Sequence, residues 1–316
     1  MIQRLFHPML ACHPKDTGAG INAALDAAIA GLHYPVLGST KLDGVRCTVQ
    51  NGKLYSRSLK LIPNLALQDK WGFPELNGMD GEITVGLPTA MDVFNKTTSV
   101  VMSRDADTSQ AVFRVFDFAS ASAQGFEDRT RHAERTVRHY PHWDVVYVDQ
   151  VSLGDVGCVE AYEATCVAAG YEGVILRDPK GVYKEGRSTV REEGLVAIKR
   201  FVDGEAIIEG TYEMLRNPNE KEINELGRSK RSHAQEGLVG LCTLGGFNVR
   251  LLNGPMAGAA FNVGTGIGLT AAYRSELWAH RRKLVRKVIK IKYQAVGSID
   301  APRLPVFLGF RDRRDV

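Results

Sequence analysis

Residues 39–58 read STKLDGVRCTVQNGKLYSRS. Two strand-like runs, 45–50 and 53–57, flank Asn51-Gly52, a dipeptide suited to the left-handed backbone of a two-residue hairpin turn. A preceding strand over 36–41 ends on Lys41, and Asp43, Gly44 and Arg46 follow at once. Two readings of Lys41 stand side by side. It is either a strand-end lysine in a salt bridge, part of an ordinary hairpin with a polar face, or a nucleophile. A lysine attacks phosphorus only when deprotonated, which calls for desolvation or nearby positive charge. Arg46 supplies such charge, and Asp43 opposes it.

A chain of 316 residues has room for two domains, each with its own core. Hydrophobic content of 44% and charged content of 24% fit a soluble globular protein. No apolar run approaches the roughly 18–20 residues that span a bilayer. The opening MIQRLFHPMLACHPKD is too interrupted by His7, Pro8 and His13 to read as a signal peptide. The five cysteines are odd in number and lack C-x-x-C spacing, which points to reduced thiols in a cytoplasmic protein. Charge is unevenly spread. Residues 1–202 carry 22 Lys and Arg against 24 Asp and Glu, whereas 203–316 carry 18 against 12. The excess lies in RSKR (228–231) and RRKLVRKVIKIK (281–292). A basic half of this kind suits a phosphate backbone, although solvated helix and strand faces give the same composition.

Outward from the hairpin, an amphipathic helix is expected over 21–31, closed by Gly31. Strands are expected at 80–86, 111–119, 145–151 and 173–178, with helices over 127–140 and 155–169. From about 203 the pattern changes to short strands separated by Gly and Asn, with one helix at 270–287. The fold class is therefore α+β: a mixed domain over 1–202, with many strand ends directed at one region, and a small β-barrel over 203–316, best matched by an OB-fold. The boundary is expected at FVDGEA (201–206), with Gly204 as a hinge. The polar stretch 216–237 reads as an unpatterned surface loop.

Several fragments share a chemical theme. Glu82 and Glu172 stand at strand edges beside glycines and read either as surface carboxylates or as oxygen ligands for Mg²⁺ alongside phosphates. VAIKRF (196–201) places Lys199 and Arg200 in an apolar strand, where a buried amine needs an anionic partner such as a nucleotide phosphate. In VFDFA, Phe116 or Phe118 is either core or a platform for a purine.

The ordered series K-x-D-G-x-R (41–46), S-R (56–57), D-G-E (80–82), V-F-D-F (115–118), E-G-V-I-L-R (172–177) and I-K-R-F (198–201) closely resembles the collinear motifs of the ATP-dependent DNA ligases. These belong to the covalent nucleotidyltransferase superfamily. GVYKEGRST (181–189), FNVGTGIGLT (261–270) and APRLPVFLGFRDRR (301–314) extend the resemblance over nearly the whole chain. In length it is similar to minimal phage and bacterial ligases.

The resemblance implies an antiparallel-sheet nucleotidyltransferase domain followed by an OB-fold barrel. It implies sealing of nicked double-stranded DNA by a monomer using ATP and Mg²⁺. By that resemblance Lys41 is the nucleophile that carries AMP, and Lys199 meets the α-phosphate. Arg46 and Arg57 contact the ribose or phosphates, with Arg57 also at the nick. Glu82 binds the ribose or a metal, Phe116 stacks on adenine, Ser39 lies at the adenine edge and Glu172 helps bind Mg²⁺. Arg303, Arg311 and Asp312 match the terminal motif that orients the pyrophosphate leaving group. Arg228, Lys230 and Arg231 are the expected contacts to duplex phosphates. One departure is plain: where the family's fifth motif has two lysines one residue apart, the first position here is Ala197. Arg200 is long enough to compensate, but alternation along a strand faces it the other way. Related alternatives are an RNA ligase or a capping-type enzyme, and a non-catalytic OB-type DNA-binding protein.

Overall fold

Asn51 and Gly52 adopt φ angles of 52° and 67°, the pair of positive values that a tight hairpin turn needs, and the hairpin forms as its sequence predicts. The computed structural model describes residues 4–14, 20–141, 143–223, 229–231, 237–294 and 300–311. The chain divides into two compact units, Met1–Arg200 and Phe201–Val316.

The first unit begins with β1 (Met9–Leu10), α1 (Ile21–Ala30), β2 (Val36–Thr40), β3 (Val45–Gln50) and β4 (Lys53–Ser56). It continues through α2 (Leu65–Trp71), β5 (Met79–Val85), α3 (Val93–Met102), β6 (Ala111–Phe118) and α4 (Phe126–His139). It ends with β7 (Val145–Tyr147), β8 (Val151–Leu153), α5 (Val156–Ala168), β9 (Val174–Arg177), β10 (Gly186–Arg187) and β11 (Val196–Ile198). Two sheets carry it. One has the order β4-β3-β5-β6-β7 and the other β11-β9-β2-β8, with antiparallel pairing throughout except for the parallel β6–β7 pair.

Period-two patterning assigns the faces of the first sheet. Cys47, Val49, Ile83, Phe113 and Val115 turn inward onto Trp71 of α2 and Ala133 of α4. The alternate residues Arg46, Glu82 and Arg114 lie in one cross-strand row on the opposite face. In the second sheet Val36, Val174, Leu176 and Val196 pack against Leu25 and Ile29 of α1 and Val159 of α5.

The apolar run expected as one strand over 145–151 is two strands, one in each sheet. β7 extends the first beside β6, and β8 pairs with β2 in the second. A single apolar stretch thus crosses from one sheet to the other, which periodicity alone does not reveal.

The second unit contains β12 (Val202–Arg216), β13 (Lys221–Ile223), β14 (Ser229–Arg231), β15 (Val239–Leu251), β16 (Ala260–Val263) and β17 (Thr265–Gly266). α6 (Ala271–Ala279), β18 (Val288–Gln294) and β19 (Arg303–Phe310) complete it. Its six-stranded sheet runs β16-β15-β12-β18-β19-β17, and register shifts between Ile208 and Leu215 mark bulges that curl the long β12–β15 pair. Ile208, Phe247, Val249, Ile291 and Phe307 fill the OB-like core. Thr270 caps α6 by accepting from the Tyr273 N–H, and Arg274 donates to the carbonyls of Leu244, Gly245, Gly264 and Leu269. The guanidinium so satisfies backbone acceptors from three segments.

Two expectations change here. α6 stops at Ala279, eight residues before the predicted end, because the chain turns through Arg281–Lys283 to bury Leu284 in the core. Among the described residues of 216–237, the expected unpatterned loop contains paired strands: β13 and β14 run antiparallel, Lys221 opposite Arg231, as a separate two-stranded sheet in the connection between β12 and β15. Its charged sequence lacks the apolar alternation by which strands are recognised. No helix among the described residues is long and apolar enough to cross a membrane.

Gly173 tests the second sheet directly. Its φ is +149°, and a Cβ there would stand 2.1 Å from the Ile198 carbonyl oxygen. Gly173→Ala is expected to cost about 1–3 kcal/mol in denaturant unfolding. A neutral result would show that β9 and β11 do not need this close approach.

Candidate active site

β2 and β11 run antiparallel to β9, with Thr40 opposite Val174 and Val174 opposite Ile198. The residue after β2, the loop before β9 and the residue after β11 therefore emerge at one end of the sheet. They are Lys41, Glu172-Gly173 and Lys199. The Lys41 N–H donates to the Gly173 carbonyl at 2.9 Å, which extends the ladder by one bond and fixes the root of the lysine. Both ammonium groups reach the same carboxylate: Lys41 Nζ is paired with Glu172 Oε2 and Lys199 Nζ with Glu172 Oε1. The Glu172 side chain is 3% exposed, so its charge is held by these partners rather than by bulk water.

The first sheet joins the site at Gly44. A Cβ at this position would lie 2.1 Å from the Ile83 carbonyl oxygen, so only glycine lets the chain pass so close to β5. The Gly44 N–H donates to Glu82 Oε1 at 3.0 Å. Burial pushes the Glu82 carboxyl above its usual range, while Lys41, Arg46 and the Gly44 N–H act in the opposite direction.

Arg46 grips Asp80 with two hydrogen bonds, Nε to Oδ1 at 2.6 Å and Nη2 to Oδ2 at 2.7 Å. Burial alone would lower its pKa, but the Asp80 carboxylate more than offsets this, and the guanidinium stays charged. The Tyr183 hydroxyl donates to Asp80 Oδ2 at 2.6 Å, and the Arg46 guanidinium lies 4.5 Å from the Phe116 ring centroid. Phe116 thus faces a cation on the sheet surface that also bears Arg46 and Glu82. Ser39 is buried in the second sheet, in one row with Ile175 and Ala197.

Sequence reasoning missed the charged layer behind this face. Asp117 is fully buried and accepts from Arg129 Nε at 2.8 Å and from Arg177. Burial would raise its pKa, yet Arg177 and Arg129 pull it below the usual carboxylate range. The signal was available. In β6 the residues at 111, 113 and 115 are inward, so the same phase buries Asp117 and demands cationic partners.

Arg200 does not replace a lysine at 197. It faces away and binds Glu163 of α5 (Nη2 to Oε2, 2.8 Å) and Asp26 of α1 (Nη1 to Oδ1, 2.5 Å). Arg57 stands exposed at the turn after β4. In the second unit Arg303 opens β19, and Arg311 Nε donates to Glu205 Oε1 at 2.7 Å. Lys230 and Arg231 lie on β14, where the structure describes the backbone. Arg228 and Asp312 lie outside the described residues.

No protein-family model matches this sequence, and no curated protein matches it. Solved structures do. The Chlorella virus DNA ligase-adenylate is similar over 98% of this chain and 99% of its own, at 26% identity and a TM-score of 0.53. A structure from a study of DNA binding with a minimal scaffold by Lig E DNA ligases matches 98% of this chain and 100% of its own, at 22% identity and a TM-score of 0.67. The chain has the fold of the minimal DNA ligases. Within this ligase fold, a nucleotidyltransferase domain and an OB domain, the Lys41–Glu172–Lys199 cluster and the Arg46–Asp80–Tyr183 cluster both belong to the first unit.

Among the described residues no group of three or more His, Cys, Asp or Glu could hold a metal ion. Glu172 and Glu82 still suit Mg²⁺, which takes one or two carboxylates and completes its shell with substrate phosphates and water.

Two measurements probe this site. Because the folded pKa of Glu82 is raised, its contribution to stability is present below the unfolded value of about 4.3 and lost as pH rises through the folded value. Glu82→Gln is therefore expected to raise the thermal midpoint at pH 7 but not at pH 3, as followed by circular dichroism. For Asp117→Asn the expectation is a loss of about 3–5 kcal/mol at pH 7, since Arg129 and Arg177 would be left buried without their counter-charge. Urea unfolding reads this value, and a cost under 1 kcal/mol would contradict the pairing.

Proposed function

We propose that the protein is an ATP-dependent DNA ligase that seals nicks in duplex DNA through a lysyl-AMP intermediate on Lys41. The single observation that carries this reading is the convergence of Lys41 and Lys199 on the buried Glu172 at one end of the second sheet. One carboxylate between two ammonium groups leaves the cluster with a positive excess, which suits a phosphate anion.

In the first step the Lys41 amine attacks the α-phosphorus of ATP. A nitrogen–phosphorus bond forms, the bond to pyrophosphate breaks, and pyrophosphate leaves with its electron pair. Glu172, already in contact with Nζ, is placed to receive the amine proton. Lys199 neutralises a non-bridging oxygen of the same phosphorus, while Phe116 and Ser39 receive the adenine and Arg46 and Glu82 lie towards the ribose. Arg303 and Arg311 of the OB domain, with Asp312, orient the departing pyrophosphate. In the second step a 5′-phosphate oxygen at the nick attacks the same phosphorus and Lys41 leaves. In the third, the 3′-hydroxyl attacks the activated 5′-phosphorus, losing its proton as AMP departs. Glu172 and Glu82 would be the carboxylates to hold Mg²⁺, which would supply charge neutralisation at the phosphates. Each displacement is in line, so positioning and electrostatics do most of the catalytic work. Arg57, together with Arg228, Lys230 and Arg231 of the basic stretch 228–231, contacts duplex phosphates.

β19 pairs with both β18 and β17, and Phe307 lies in the OB core, so truncation before β19 would damage the whole unit. Point substitution is the cleaner test of the terminal arginines. Arg303→Ala and Arg311→Ala are expected to slow sealing from ATP at least tenfold more than sealing of a pre-adenylated nick. Equal losses would contradict a role confined to the first step. Lys41→Ala is expected to abolish sealing of a nicked duplex from ATP and Mg²⁺, as read on denaturing gels. Sealing that persists in this variant would remove the assignment, and sealing only of RNA-containing nicks would favour the RNA ligase alternative.

A further inference from the structure

The amino-terminal segment lies against the edge of the second sheet next to the position where the ligase pattern lacks a lysine. The Cys12 N–H donates to the Leu195 carbonyl at 2.9 Å, and the Ala197 N–H donates to the Cys12 carbonyl at 3.0 Å. These bonds form a parallel bridge between Cys12 and Val196. Cys12 shares the apolar core beneath the sheet with Val196. Cys12 and Pro14 are buried, whereas His13 between them is exposed. His13 therefore points away from that core, to the sheet side occupied by Ala197, Ile175 and Ser39.

Its surroundings are cationic. Partial desolvation lowers the imidazole pKa first, and the charges of Lys41, Arg187 and Lys199 lower it further. Arg187 is fixed nearby through its Nη1 bond to the Ala11 carbonyl at 2.6 Å. A ring kept neutral at pH 7 still carries one N–H donor, which it can offer to a phosphate oxygen without adding a third ammonium-like charge beside Lys41. Ala197 itself is fully buried and its methyl group offers no donor.

We infer that His13 donates a hydrogen bond to the phosphate transferred through Lys41, on the side of the site that Ala197 leaves without a donor. This rests on the ligation reading above, in which Lys199 binds the same phosphate. Leucine at position 13 keeps the bulk but removes the donor, and glutamine keeps a neutral N–H donor.

The test is the single-turnover rate of self-labelling with α-labelled ATP and Mg²⁺, on full-length protein first cleared of bound AMP with pyrophosphate. His13→Leu is expected to label about 100-fold more slowly, the lower end of the range for loss of one donor to a developing oxyanion charge. His13→Gln should remain within about threefold of the parent, at an unchanged thermal midpoint for both variants. A His13→Leu rate within twofold of the parent overturns the inference. So does an equal fall in both variants, which would assign His13 a structural role only. Absence of label on the parent, or label that survives Lys41→Ala, would instead defeat the ligation reading and this inference with it.

Discussion

Glu172 holds the site together. A buried carboxylate is costly unless cations meet it, and here two lysines do so from strands on either side of its own. The arrangement depends on backbone register more than on side-chain choice. Thr40, Val174 and Ile198 lie in one row, so the next residues out from that row arrive together. Gly173 permits the approach by having no Cβ to meet the Ile198 carbonyl. A slip of one residue in either pairing would turn Lys41 or Lys199 to the other face. Among these three groups there is more ammonium than carboxylate charge.

A second charged layer supports the first. Asp80 holds Arg46 and receives the Tyr183 hydroxyl, while Asp117 is shared by Arg129 and Arg177. Arg46 and Arg177 both approach the Phe116 ring, at 4.5 and 5.5 Å. Arg177 belongs to β9 in the second sheet, and Asp117 to β6 in the first. Their ion pair therefore ties the two sheets together directly behind the proposed nucleotide face. Removing one partner would leave the others buried with unbalanced charge, so this layer acts as a unit.

Much of the fold was legible from short-range chemistry. Asn51-Gly52 specified its turn, and the runs 80–86 and 111–119 were readable as the strands β5 and β6. The ordered motifs gave the two-domain ligase architecture, which the solved structures share. What escaped was set by partners distant in sequence. The run 145–151 serves two sheets, and the hairpin at 221–231 has no apolar phase to reveal it. In the site, Lys41, Glu172 and Lys199 stood out as residues, but the Lys41–Glu172 contact alone spans 131 positions and is a product of register. Asp117 was readable by its phase within β6. His13 was not, because only the bridge from Cys12 to Val196 brings it to the sheet.

The central claim is that Lys41 becomes covalently adenylylated. Peptide mapping by mass spectrometry, after the pyrophosphate-treated protein is incubated with ATP and Mg²⁺, reads this bond directly. The account predicts one AMP adduct, located on Lys41 and removed again by pyrophosphate. An unmodified Lys41 peptide, or an adduct on a different lysine, would contradict it.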